Sequence, residues 1–182
     1  MNKEDIIKKH REYLRQHEGL RYLENATKDN INRKWLEDYK DDKYKEAINL
    51  NEIAGTELVI EYDEISRLDK NKKSNKKQRR KWIKKTLNKL GKENVGYSHY
   101  NFIGGKCSHI HLTLNHAATK EEKEFITKYY IPIEAQEFVD LSLCGVHLIA
   151  TPHSKHWKYN SIKECVEEKG GLIIDVDDDL SR

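Results

Sequence analysis

The sequence predicts an α+β domain in which helices cover a mixed sheet, and three observations carry that prediction. Short apolar runs at 57–65, 95–102 and 109–114 alternate with stretches of helical period. A Gly104-Gly105 pair divides the second run from the third, as in a hairpin. Helix-end signals (Thr119 with Glu122, and Gly91) fall where the helical stretches start or stop.

In chain order, residues 3–25 read as a helix, with Ile6, Ile7, Tyr13 and Leu14 as its apolar marks. Asp29 or Asn30 is placed to cap a second helix carrying Ile31, Trp35 and Tyr39 at i, i+4, i+8, which Tyr44, Ala47 and Ile48 extend. Residues 57–65 form the first strand. Leu58, Ile60 and Tyr62 leave one face; Val59, Glu61 and Asp63 leave the other. Residues 70–81 are charged and have no apolar period. An amphipathic helix over 81–90 follows, with Ile83, Leu87 and Leu90 on one side and Gly91 to end it. After the 95–102 and 109–114 hairpin, a capping box opens a helix over 119–130, with Pro132 just past its end. Short strands are expected at 138–143 and 146–151, a short helix at 161–168 stopped by Gly170-Gly171, and a last strand at 172–176 before an acidic tail. Residues 1–56 are expected to be a helical segment packed on or appended to a core spanning 57–182.

At 182 residues the chain is long enough for one domain, and its 36% charged content leaves much helical surface solvated. Three cysteines without a CxxC spacing exclude a disulfide framework and a cysteine zinc site. No apolar run reaches the ~20 residues of a spanning helix, and the first residues do not start a signal peptide. A cytoplasmic location and no membrane partner are therefore expected. The net charge of +3 says little, but thirteen Lys or Arg against one acid between Arg67 and Lys92 would draw a polyanion. Arg79, Arg80, Lys81, Lys84 and Lys85 are the candidate nucleic-acid contacts in that block, which otherwise serves as a solubilising face.

Three segments carry candidate chemistry. Glu61 and Asp63 share a strand face, and two such carboxylates repel unless a cation lies between them. Asp140 repeats the oddity of a carboxylate in an apolar frame, Phe138-Val139-Asp140-Leu141. An oxygen-rich set of this kind selects Mg²⁺ or Mn²⁺. Gly104-Gly105-Lys106 followed by His109 combines close backbone approach with a point charge and a donor, as a phosphate site needs. His109 and His111 also share a strand face and are alternative metal ligands. In Pro152-His153-Ser154-Lys155-His156-Trp157-Lys158, an extended backbone would aim Ser154, His156 and Lys158 at one anion.

Together these segments resemble the archaeo-eukaryotic primase superfamily, which includes the small catalytic subunit of DNA primase and the primase-polymerases. The resemblance covers residues 57–160. It matches the paired acids at Glu61 and Asp63, the glycine-basic turn with its histidine at Gly104, Gly105, Lys106 and His109, and the third acid at Asp140. It also matches a Leu-Ile-x-x-Pro-x-Ser-x-His-x-Lys segment at Leu148, Ile149, Pro152, Ser154, His156 and Lys158. The resemblance implies an RRM-like sheet with a flanking α/β unit. It implies that Glu61, Asp63 and Asp140 hold the divalent metals and that Lys106, His109, Ser154, His156 and Lys158 bind a nucleoside triphosphate. The implied reaction adds nucleotides to a 3′ hydroxyl on a nucleic-acid template and releases pyrophosphate. The chain departs from the family pattern at Ile103, where a serine usually opens the glycine turn, at Cys107, and at Ala150, where replicative subunits often carry arginine. Lacking the family's zinc cysteines, it is expected either to need a second replication subunit for primer-independent initiation or not to initiate without a primer.

Two other readings use some of the same residues. A rolling-circle nickase has a His-hydrophobic-His strand, as at His109-Ile110-His111, and a nucleophilic tyrosine in a Tyr-x-x-x-Lys helix, a spacing that Tyr159 and Lys163 have. A non-catalytic nucleic-acid-binding accessory protein would need only the basic block.

Overall fold

The computed structural model describes residues 2–17, 19–31, 48–103 and 107–182. Its elements are α1 (Lys3–Gln16), β1 (Tyr22–Glu24), β2 (Ile48–Glu52), β3 (Glu57–Glu61), α2 (Lys76–Lys92), β4 (Tyr97–Phe102), β5 (Ser108–Thr113), α3 (Lys120–Tyr130), β6 (Leu148–Ala150), β7 (Lys163–Lys169) and α4 (Val176–Leu180). Two 3-10 turns, Ile133–Phe138 and Leu141–Cys144, lie between α3 and β6. The expected α+β architecture is present. A four-stranded sheet in the order β3-β5-β4-β7 and a three-stranded sheet in the order β1-β2-β6 are flanked by helices. The named strands pair antiparallel; parallel pairing is confined to the single bridges Val95–Leu172 and Leu114–Ile174.

Alternation in β3 decides which face is buried. Leu58, Ile60 and Tyr62 pack with Ile110 and Leu112 of β5, and with Trp82 and Leu90 of α2 and Ile126 of α3. Each fully buried aliphatic side chain there contributes about 1.5–3 kcal/mol. The opposite face of the same strands carries Glu57, Val59 and Glu61 beside His109 and His111, through the pairs Glu61–His109 and Val59–His111. Both capping boxes are formed: Thr119 with Glu122 starts α3, and Asn75 with Gln78 starts α2. Because Asn75 caps it, α2 begins at Lys76, five residues before the start expected at 81.

Several elements differ from the sequence expectation. The first helix stops at Gln16, and 22–24 pairs as β1 with β2. Residues 28–31 form a turn; Trp35, Tyr39 and Tyr44 of the expected second helix lie outside the described residues. Ile48 opens a strand rather than extending a helix. β2 also pairs with β6, joining the segment before residue 57 to the segment that carries the Pro152–Lys158 cluster. Residues 138–143 are not a strand. Val139 makes one bridge to Tyr62, and Asp140 caps a 3-10 turn by accepting from the Ser142 N–H. The expected helix over 161–168 is strand β7, held by its ladder to β4. The expected last strand is reduced to bridges at Leu172 and Ile174, and the acidic tail winds into α4 with Asp175 as its cap.

Candidate active site

The three predicted carboxylates converge at one end of the four-stranded sheet. Asp63 N–H donates to Phe138 O (2.6 Å) and Asp140 N–H to Glu61 O (3.0 Å), so the segment around Asp140 is laid along the end of β3. Arg67 then bridges two of the acids: its guanidinium lies 2.7 Å from Asp63 Oδ2 and 2.7 Å from Asp140 Oδ1. Glu61 Oε2 is 3.2 Å from His109 Nε2. Burial, followed by the charge of Glu61, pushes the Asp63 carboxyl up to about 6 against the pull of Arg67, and Asp140 adds to the rise. Burial would raise Glu61 as well, but the His109 charge and hydrogen bond bring it below the ordinary carboxylate range.

These residues suit a hard divalent cation. All the donors are oxygens, and the Asp63 carboxyl is raised by burial first and then by the neighbouring charges of Glu61 and Asp140, both of which a cation would relieve. Part of that demand is met by Arg67, whose side chain is half exposed. Among the described residues, no three His, Cys, Asp or Glu side chains are already gathered around one point as a metal centre.

His109 is buried, and burial, with Lys163 next, holds its imidazole below the usual range. Among the described residues its Nδ1 has no hydrogen-bond partner. Phe102 links it to the Pro152–Lys158 segment: the rings of His109 and His156 each meet the Phe102 ring at 5.1 Å, edge-on. His156 Nδ1 accepts the backbone N–H groups of Lys158 (3.0 Å) and Tyr159 (3.2 Å). The neutral ring therefore carries its proton on Nε2, as a donor. The segment does not run extended. It turns at His153, whose φ of 59° is left-handed, and the Ser154 hydroxyl donates to Thr151 O at 2.6 Å. Ser154 thus shapes the turn, while Lys158 is exposed with Nζ 5.4 Å from the centre of the Tyr159 ring. Lys106, with Gly104 and Gly105, lies outside the described residues.

Behind the carboxylates, His111 and Lys163 join Glu57 in a buried polar chain, in roles other than the metal ligand and nickase-helix positions expected of them. Glu57 Oε1 lies 3.1 Å from His111 Nδ1, and Lys163 Nζ lies 2.8 Å from His111 Nε2 and 2.9 Å from Ala150 O. The geometry fixes the tautomer: His111 donates from Nδ1 and accepts at Nε2. Lys163 is fully buried, and burial brings its amine down to about 7 against the opposing pull of Glu57 and Glu61. Its bond to Ala150 O ties β6 of the small sheet to the large one. With both nitrogens of His111 engaged, the imidazole has no lone pair to offer a metal.

This arrangement also bears on the nickase geometry. Lys163 is buried in β7 and Tyr159 lies in a bend, so the two share no helix. Of the basic block, Arg79, Arg80 and Lys84 line a groove between α2 and the sheet, whereas Lys85 is paired with Glu134 and Lys81 does not line the groove.

No protein-family model matches the sequence, and no curated protein matches it. Among solved structures, the AEP domain of the cyanophage S-2L primase-polymerase is similar, with a TM-score of 0.52 and 13% identity over 98% of this chain and 96% of that one. At that identity the likeness establishes the fold. The chain has the architecture of a primase-polymerase AEP domain along nearly its whole length.

Proposed function

We propose that this chain is a metal-dependent nucleotidyltransferase of the primase-polymerase type, extending a 3′ hydroxyl on a nucleic-acid template with nucleoside triphosphates and releasing pyrophosphate. The observation that carries the reading is the convergence of Glu61, Asp63 and Asp140 at one sheet end, with the Asp63 carboxyl pushed up to about 6. The shared fold supports it. Glu61, Asp63 and Asp140 would hold Mg²⁺ or Mn²⁺, which supplies charge neutralisation and in-line alignment for phosphoryl transfer. The Nε2–H of His156 flanks the Phe102 ring, where it would be available to triphosphate oxygens, while His109 across that ring donates Nε2–H to Glu61 and would orient that carboxylate. Lys158 and Lys106 add point charges. In the reaction the 3′ oxygen bonds to the α-phosphorus, the bond from the α-phosphorus to the α–β bridging oxygen breaks, and pyrophosphate leaves, while the hydroxyl proton is lost to water.

The test is extension of a primed template by labelled nucleoside triphosphates in Mn²⁺. Asp63→Asn should lower the rate by at least about a hundredfold, the scale of losing one preorganised electrostatic group, with the fold intact by circular dichroism. Extension that survives the substitution would refute the assignment. A covalent adduct on single-stranded DNA that disappears in Tyr159→Phe would move the assignment to a nickase.

A further inference from the structure

α2 presents three different faces. Trp82, Thr86 and Leu90 enter the core. Lys85 and Lys89 are engaged by Glu134 and by Tyr129 O. The third face runs from Lys76 through Arg80 and Lys84 to Leu87 and Gly91, with Leu87 packed at the edge of the core. It forms one wall of a groove of about 1140 Å³ whose floor is the helix side of β4 and β7. On β3 and β5 that side of the sheet is covered by α2 and α3; on β4 and β7 it borders the groove, with no further described element across it.

The charge on the groove is one-sided. Its cations are Lys76, Arg79, Arg80, Lys84, Lys92 and Lys169, and its one carboxylate is Glu167. Among the described residues, none of these cations has a carboxylate within ion-pair distance, and Arg79 alone is engaged, by Ser74. The floor is different in kind. Tyr97 and His99 contribute planar side chains, Ile83 and Leu87 contribute apolar wall, and among the described residues the buried Nε2 of His99 has no partner. The strand register fixes the direction. Phe102, Ser108 and the N-terminal turn of α2 lie at the carboxylate end of the sheet, and Tyr97, Lys169 and the C-terminus of α2 lie at the other. Cys107 lines the groove mouth, and Phe102 there is the ring touched by His109 and His156.

We infer that this groove is the path of a single nucleic-acid strand leading to the carboxylate site. Phosphates meet the rim of cations, while unpaired bases meet the planar and apolar floor, a division that a duplex could not use because its bases are stacked inside. The inference rests on the proposed function for the role of the strand. The path itself is a binding claim that stands or falls separately.

The experiment measures binding of a fluorescein-labelled oligothymidylate to the full chain by anisotropy over a salt series, without nucleotide or metal. Two double variants carry the same loss of charge on one helix: Arg80→Gln with Lys84→Gln in the groove, and Lys81→Gln with Lys85→Gln away from it. The groove pair should weaken binding about tenfold and lower the slope of log K against log salt by about 1.4, since each phosphate contact on a single strand contributes roughly 0.7. The outward pair should change both by much less, and a duplex of the same length should compete poorly. Equal loss in the two pairs, or duplex competition as strong as that of the single strand, would overturn the inference in favour of a diffuse basic surface. Groove-dependent binding with no extension in any metal would leave the path standing and remove the polymerase reading. Extension that is indifferent to the groove pair at limiting template would do the reverse.

Discussion

Replacing Lys163 by methionine should remove one specific component of the pH dependence of stability. Lys163 is wholly buried, and its Nζ sits among His111 Nε2, Ala150 O and the face of Tyr100, 5.0 Å from that ring's centre. Glu57 and Glu61 are the carboxylates that hold up its charge, and they do not offset burial: the amine falls from 10.5 to about 7. In the unfolded chain it titrates near its ordinary value. Between pH 7 and about 10 the unfolded state therefore binds a proton that the folded state has released, and stability rises with pH. Below pH 7 both states are charged and the slope vanishes. One unit of pH in this window is worth about 1.4 kcal/mol, which gives about 2 kcal/mol between pH 7 and 9 after allowing for partial titration near 7. Methionine fills a similar volume and carries no proton, but it leaves His111 Nε2 and Ala150 O without a donor. At pH 7 the lost hydrogen bonds and the lost desolvation penalty oppose each other. The informative quantity is the difference between the two proteins as pH rises. Urea unfolding at pH 7, 8 and 9 should show the wild type gaining about 2 kcal/mol on the variant across the series. Cys107, pushed up by burial and by Glu61, and the buried tyrosines also titrate in alkali. They do so in both proteins and largely cancel in the difference. A difference that stays constant from pH 7 to 9 would refute the buried, neutralising amine and the seam built on it.

Two further substitutions test close packing and buried hydrogen bonding elsewhere in the fold. A Cβ on Gly171 would lie 2.6 Å from both Asn94 O and Gly96 N, backbone atoms that cannot rotate away, so Gly171→Ala should cost about 1–3 kcal/mol and lower Tm by several degrees in a thermal melt. Asn49 is buried and joins both backbone groups of Ala26, at 2.8 Å each, to the loop carrying Lys155; Asn49→Leu orphans the Ala26 N–H and C=O and should cost about 3 kcal/mol in a urea titration.

What could be read from the sequence was local. The alternation in 57–62 fixes which side chains enter the core, and the Thr119–Glu122 box fixes where α3 starts, because both signals depend on residues a few positions apart. β7 failed for the opposite reason. Glu164, Glu167, Glu168 and Lys169 are ordinary helix formers, and they are extended because β4 offers them a ladder about sixty-five residues away in the chain, with a bulge at His99/Tyr100 that no local pattern announces. The same distinction runs through the site. Glu61, Asp63 and Asp140 were recognisable because a carboxylate in an apolar strand frame is conspicuous, although Asp140 reaches the site from a 3-10 turn rather than a strand. Glu57, Arg67 and Lys163 were not. Glu57 opens a strand where a charge is unremarkable, Arg67 is one of thirteen cations in a basic run, and Lys163 stood out only through its spacing from Tyr159.

The placement of these less visible residues has a physical consequence for the site. The carboxylates belong to the large sheet, whereas His156 and Lys158 follow directly from β6 of the small one, so the distance between the two halves of the site depends on how firmly the sheets are joined. That junction includes a few specific polar contacts, Lys163 Nζ to Ala150 O and the backbone bonds of Lys163 with His153 and Ser154, with the apolar cluster of Ile53, Val59, Leu143 and Ile149 beside them. Apolar contacts hold the sheets together but tolerate sliding by fractions of an ångström, whereas a hydrogen bond to a single backbone carbonyl sets a register. A buried amine that burial drives toward neutrality is an expensive way to set that register. Under the proposed function that expense would serve position at the seam, where a triphosphate held by one half would meet carboxylates held by the other.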